Sequence, residues 1–314
     1  MTMSGEAWRR RRRLRRRVTF RAGLALAGSI AWLADLAGPR ALRATGHALG
    51  DLHYLFGIRK RRDLQRQLVR VLDEAGPGRV VRWLREAYRV NDRGVLELMV
   101  MATRGVDQAR VRRECDVDGI DVLRDALAGG HGAILIGMHS CNGVYMTGRI
   151  AAEGIPVTLV YRESNKMPDG LFARALGPLG VDGIEASDRA RAYRAMLRAL
   201  REQRVLCVMM DQASKRGGLP VDFLGKRLTL PAGPPELIRR SGAPVLFARP
   251  LPPDARWQFR VEALDGVARD ADAQTIAERL AEVIVGQIRR YPQLWTWHHR
   301  RWRRYPFADA ATGD

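Results

Sequence analysis

A chain of 314 residues with 46% apolar side chains can bury one large domain, or a domain with an appendage, and is excluded from the disordered class. Lys and Arg number 54 against 34 Asp and Glu, and the net charge of +20 points to anionic partners: acidic lipids, phosphorylated ligands, acidic carrier proteins or nucleic acid. The three cysteines, Cys115, Cys141 and Cys207, show no CxxC spacing, which excludes a disulfide framework and a zinc site and fits a reducing compartment.

At the N-terminus, Trp8 precedes the runs Arg9 to Arg13 and Arg15 to Arg17. A largely apolar stretch follows from Ala22 to Ala34, contains Trp32 and is closed by Asp35. Its charge-free part is shorter than the roughly 20 residues that a spanning helix needs. No small-residue cleavage site follows clearly, so a signal peptide is not favoured. Residues 1–40 are expected to lie in or dip into the inner leaflet, with arginines on anionic headgroups and Trp8 and Trp32 at the interface. A buried helix behind a basic tail, or a basic arm on nucleic acid, is the alternative.

Residues 41–115 read as helical and basic, with Leu64, Leu68, Val71 and Leu72 at helical spacing. An α/β domain is expected over 116–306, followed by a tail at 307–314. Ile120 to Leu127 reads as a helix ended by Gly129-Gly130. Continuous apolar runs at Ala133–Met138, Val157–Tyr161, Val205–Met210 and Val245–Ala248 predict strands buried on both faces. Helical stripes lie between and after them, at Asp188–Arg201 and from about Ala273 to Arg290. Strand alternating with helix predicts an α/β fold with a mostly parallel central sheet flanked by helices. In such sheets the functional residues sit beyond the carboxyl ends of strands. Polar residues do gather there: His139-Ser140-Cys141-Asn142 after the first run, Arg162-Glu163-Ser164-Asn165 after the second, Asp211-Gln212 after the third.

Four blocks of sequence resemble the bacterial lipid A biosynthesis (lauroyl/myristoyl) acyltransferases. Gly137-Met138-His139-Ser140-Cys141-Asn142 is similar to the family's histidine motif, and Tyr161-Arg162 with Asn165 to its second block. The third comprises Asp211-Gln212, Val221-Asp222-Phe223-Leu224-Gly225, Thr229, Pro231 and Gly233-Pro234. The most specific is the tail, where Pro292, Trp295, Trp297, His299-Arg300-Arg301-Trp302 and Pro306 resemble Pro-x-x-Trp-x-Trp-x-His-Arg-Arg. The resemblance runs from the N-terminal apolar segment to about Pro306. It implies a glycerolipid-acyltransferase-like fold and transfer of a fatty acyl chain from acyl carrier protein, or acyl-CoA, to a hydroxyl of a membrane lipid, possible acceptors including a lipid A precursor. On that resemblance His139 is the general base, and Arg162 stabilises the oxyanion or binds an acceptor phosphate. Asn142, Asn165, Gln212, Arg300 and Arg301 are expected to bind substrate. The thioester supplies the leaving group, so neither cofactor nor metal is expected. The expected partners are acyl carrier protein, an anionic lipid acceptor and the cytoplasmic face of the inner membrane. Nucleic acid is not expected, because no helix-turn-helix, zinc-finger or RNA-binding aromatic motif appears.

One departure bears on catalysis. The family's motif is His-x₄-Asp/Glu, and the acid's position here holds Val144. Three readings follow. Another acid orients the imidazole, Asp211 first and Glu163 second; or His139 works with a backbone or water partner; or catalysis is lost and only lipid or carrier binding remains. The Trp295 to Trp302 cluster reads as structural, closing the sheet edge. Cys141 is not expected to act as a nucleophile, since the resemblance implies no covalent intermediate and free cysteines are usually core residues. His298 and His299 lack metal-ligand spacing.

Overall fold

In the computed structural model the described residues are 25–308, except 73–75, 141, 164–167, 215–216, 268–269 and 298–299. Trp8 and the arginine runs therefore lie outside the described residues. A first helix, α1 (residues 25–36), turns at Gly38, whose φ of 99° needs a glycine, into α2 (Pro39–Phe56). After α3 (Ile58–Val71) comes the long α4 (Pro77–Arg104). Leu64, Leu68 and Val71 form the buried stripe of α3 that their spacing predicts. The backbones of α2 and α4 nearly touch. A Cβ on Gly46 would lie 2.6 Å from the Arg93 Cα, and one on Gly50 would lie 2.5 Å from the Arg89 Cα.

The α/β part starts after α5 (Gln108–Glu114), which Asp107 caps by accepting from the Arg110 N–H at 2.7 Å. Its elements run β1 (Cys115–Asp118), α6 (Ile120–Ala128), β2 (Ala133–Gly137), α7 (Gly143–Ala151), β3 (Val157–Tyr161), α8 (Leu171–Leu176), β4 (Asp182–Glu185), α9 (Arg189–Arg201) and β5 (Val205–Met209). A hairpin of β6 (Leu219–Phe223) and β7 (Lys226–Leu230) follows, then α10 (Gly233–Ser241), β8 (Val245–Leu251), β9 (Trp257–Ala263), α11 (Ala273–Arg290) and the short α12 (Arg300–Arg303). Among the described residues, seven strands make the main sheet in the order β1-β9-β8-β2-β5-β3-β4. Every neighbouring pair is parallel except β8 with β9.

The fold is the expected α/β architecture. The apolar runs become β2, β3, β5 and the start of β8, and the expected helices appear as α6, α9 and α11. Alternating side chains feed two core layers: Ile134, Ile136, Leu206 and Val208 pack on one face, Ala133, Leu135, Val205 and Cys207 on the other. Helix α4 serves both, with Leu84 and Tyr88 in the first layer and Leu96 and Met99 in the second. Two topological facts set up the site. Chain order is not spatial order, since β5 lies between β2 and β3. Parallel pairing also brings the carboxyl ends of all three to one edge.

Among the described residues, the large hydrophobic side chains that remain exposed all sit on α1 to α4, including Trp32, Leu36, Leu52, Leu55, Phe56 and Ile58. No described helix is long and apolar enough to cross a membrane.

Candidate active site

His139 lies two residues past β2, and Asp211 two residues past β5, the neighbouring strand. A backbone bond from the Met210 N–H to the Gly137 carbonyl, 3.1 Å, continues the strand pairing up to them. The two side chains meet at this point: the His139 Nδ1–H donates to Asp211 Oδ1 at 2.6 Å. Asp211 is buried, whereas 39% of the His139 side chain is exposed. Burial by itself pushes the Asp211 carboxyl up, but His139 and the Trp295 N–H hold it below the ordinary carboxylate value. The carboxylate is therefore ionised at neutral pH and fixes the imidazole tautomer, directing Nε2 as the basic nitrogen. The imidazole thus has a carboxylate partner although Val144, buried in the first turn of α7, stands at the motif's acid position.

The tail completes this arrangement. Trp295 Nε1 donates to the second Asp211 oxygen at 2.7 Å. The Thr296 N–H and hydroxyl both donate to the His139 carbonyl, at 3.2 Å and 2.8 Å, and Ser140 bridges to Trp295. Trp295, Trp297 and Trp302 pack edge to face with centroids 4.7–5.9 Å apart. The tail therefore closes the sheet edge and also holds both the histidine backbone and the acid. Sequence reasoning gave this cluster only the first of those tasks, although Trp295 stood within the tail motif.

The other expected residues are more dispersed. Arg162 is exposed at the end of β3, one strand beyond Asp211, where its charge helps to lower the Glu185 carboxyl. Burial opposes that lowering, and the Ser187 hydroxyl and N–H, then the Glu163 N–H, rank ahead of Arg162 among its causes. Glu163, the second acid considered, accepts from the Gly170 N–H at 3.2 Å. Gln212 is half-buried beside Asp211. Asn142 is buried: its Oδ1 caps α7 by accepting from the Tyr145 N–H at 3.3 Å, and its Nδ2 donates to Glu97 at 3.3 Å. This amide is committed to protein partners. Asn165 and Cys141 lie outside the described residues, as do the side chains of Arg300 and Arg301. Cys207 is buried inside β5, where burial pushes its thiol up to about 12.

Glu97 went unnoticed in the sequence. It is fully buried on α4 and accepts from Arg93 Nε at 2.8 Å, Trp257 Nε1 at 2.6 Å and Asn142. An Arg–Glu pair four residues apart on a helix ordinarily reads as an exposed pair, so the sequence carries no signal for it.

The family model for bacterial lipid A biosynthesis acyltransferase matches residues 10–304. The chain is similar to a phosphatidylinositol mannoside acyltransferase of Mycolicibacterium smegmatis, with 27% identity over 311 residues that cover 91% of this chain and 95% of that protein. It is also similar to proteins of the same description from two Mycobacterium tuberculosis strains. The CDC 1551 protein is 30% identical over 69% of this chain and 68% of its own length, and the H37Rv protein 29% identical over 63% of each.

Proposed function

The chain belongs to the bacterial lipid A biosynthesis acyltransferase family, and from that membership we propose that it transfers a fatty acyl chain from a thioester to a hydroxyl of a phosphorylated glycolipid. The carrying observation is the His139–Asp211 pair at the carboxyl edge of the sheet. In the proposed reaction His139 Nε2 takes the proton of the acceptor hydroxyl as its oxygen attacks the thioester carbonyl. Asp211 stabilises the resulting imidazolium. The tetrahedral intermediate then collapses, the C–S bond breaks, and the histidine returns the proton to the departing thiol. A positioned imidazole of this kind contributes about 10²–10⁴-fold in rate. Arg162, exposed one strand away, is suited to an acceptor phosphate.

The family description and the relatives' names suggest two acceptors, a lipid A precursor and a phosphatidylinositol mannoside. Both combine sugar hydroxyls, phosphate and acyl chains, which suits a chain of net charge +20. The donor is acyl carrier protein or acyl-CoA. The protein works at the cytoplasmic face of a bacterial inner membrane. The apolar residues exposed on α1 to α4, beside Arg59, Lys60, Arg62 and Arg66, support that setting. The intact acid–imidazole pair weighs against the reading in which only binding is retained.

The test is acyl transfer in membranes containing the protein, with labelled acyl carrier protein or acyl-CoA, both acceptors, and lipid products resolved by mass spectrometry. An acylated glycolipid that disappears in His139→Ala and falls about 10²–10⁴-fold in Asp211→Asn is the expected result. Membrane binding without product from any donor and acceptor pair would overturn the proposal.

A further inference from the structure

The turn between β2 and α7 is gripped from two sides. On one side Thr296 and Trp295 hold the His139 carbonyl, Ser140 and Asp211. On the other, Asn142 is held by Glu97, an acid 45 residues earlier in the chain. Glu97 sits among Arg93, Trp257 and Asn142, with the Arg93 guanidinium 4.0 Å over the Trp257 ring and also donating to the Ala255 carbonyl at 3.3 Å. Such a cluster contributes little net stability compared with an apolar replacement of equal volume. What it supplies is direction.

Burial raises the Glu97 carboxyl against the lowering by Arg93, Trp257 and Asn142, but both of its oxygens accept from groups that can only donate, the Arg93 Nε–H and the Trp257 N–H, so it presents an acceptor to the amide nitrogen of Asn142. That turns Oδ1 the other way, onto the Tyr145 N–H, where it caps α7. A single amide orientation satisfies both neighbours. From this geometry we infer that Glu97 is a positioning residue for the acyl-transfer site: through Asn142 it fixes the start of α7 and thereby the placement of His139, three residues earlier, against Asp211. It touches no reacting atom. The inference rests on the function proposed above for its kinetic consequence, but its structural consequence can be read without turnover.

Two variants isolate the contact. Glu97→Gln offers Asn142 a neutral side chain and removes the charge that Arg93 faces. Asn142→Ser retains a capping oxygen but no longer reaches Glu97. Each purified full-length protein is labelled with ¹⁵N-histidine. The His139 imidazole is assigned by its loss in His139→Gln, and its tautomer is read by NMR beside kcat, donor KM and thermal stability. In wild type the proton should sit on Nδ1. In Glu97→Gln and Asn142→Ser the expected result is a mixed tautomer and a kcat lower by up to about 10²-fold, the scale of a small misplacement, with donor KM unchanged.

If Glu97→Gln fails to fold, Asn142→Ser carries the test alone. A folded Glu97→Gln or Asn142→Ser with the wild-type tautomer, whatever its melting temperature, overturns the inference. Should wild type transfer no acyl chain while its tautomer still depends on Glu97, the acyltransferase reading fails and the positioning role stands.

Discussion

Trp295, Trp297 and Trp302 in the closing segment are 3%, 1% and 2% exposed, whereas Trp32 on α1 and Phe56 on α2 leave 47% and 82% of their surface uncovered. In the tail each indole N–H has an acceptor: Asp211, the Pro292 carbonyl and the Phe223 carbonyl. Each ring meets its neighbours edge to face. On α1 the exposed Trp32 ring has the Arg104 guanidinium 6.0 Å from its centroid, and the closest α2–α4 approach is made at glycines rather than by the exposed side chains. The same residue class is used as internal mortar at one end and as an outward face at the other. Aromatic content alone cannot distinguish the two. The difference lies in burial, and each buried indole N–H of the tail is met by an acceptor within the fold.

The contrast is broken most severely from the tail. Trp302→Ala removes a fully buried ring and should destabilise the protein by about 3–5 kcal/mol in urea unfolding, while Trp32→Ala should change stability by less than about 0.5 kcal/mol. Equal losses at the two sites would erase the distinction. Trp295→Phe retains most of the ring but strips an N–H from Asp211, and a lost bond to a buried carboxylate should cost about 1.5–3 kcal/mol. The outward face is sharpened by Leu55→Ser with Phe56→Ser. This pair should weaken binding to anionic vesicles about tenfold or more, with urea unfolding nearly unchanged, because burying each side chain in lipid is worth about 1.5–3 kcal/mol.

A last test is a pH dependence. Lys226 is enclosed by Trp302, Phe307 and Gln67, and burial pushes its ammonium down to about 8, opposed by Asp63 and aided by Arg70. The folded value lies below the unfolded value of about 10.4, so between them the folded state binds fewer protons. Stability should therefore rise as pH climbs from about 8 toward 10. Thermal unfolding of wild type beside Lys226→Met, which should lose that rise, checks the sign.

Much of this architecture was readable before any coordinates. Strands β2, β3, β5 and the start of β8 announce themselves as uninterrupted apolar runs because helices cover both faces of the sheet. The β6–β7 hairpin was hidden because its turn uses Leu224 at φ 50° before Gly225 at φ 70°, where asparagine or aspartate is the usual sign. Edge strand β4 is polar and largely solvent-facing, so it lacks the apolar signature. In the site, His139 and Asp211 were visible as residues at strand ends. That they touch follows from β5 lying between β2 and β3, and the linear order of strands does not encode this. Glu97 was illegible because its burial depends on β9 presenting Trp257 from 160 positions further along.

The reach of the closing segment has a consequence during synthesis. Asp211 follows His139 by 72 residues, and Trp295 follows Asp211 by another 84. At about 5–20 residues per second, a ribosome finishes Asp211 some 4–17 s before it reaches Trp295. Helices α1 to α4, with their outward leucines and phenylalanine, are complete earlier still. A nascent chain thus displays its apolar face well before its acid and imidazole can be braced, so the outward face and the finished pair are separated in time by the order of the message.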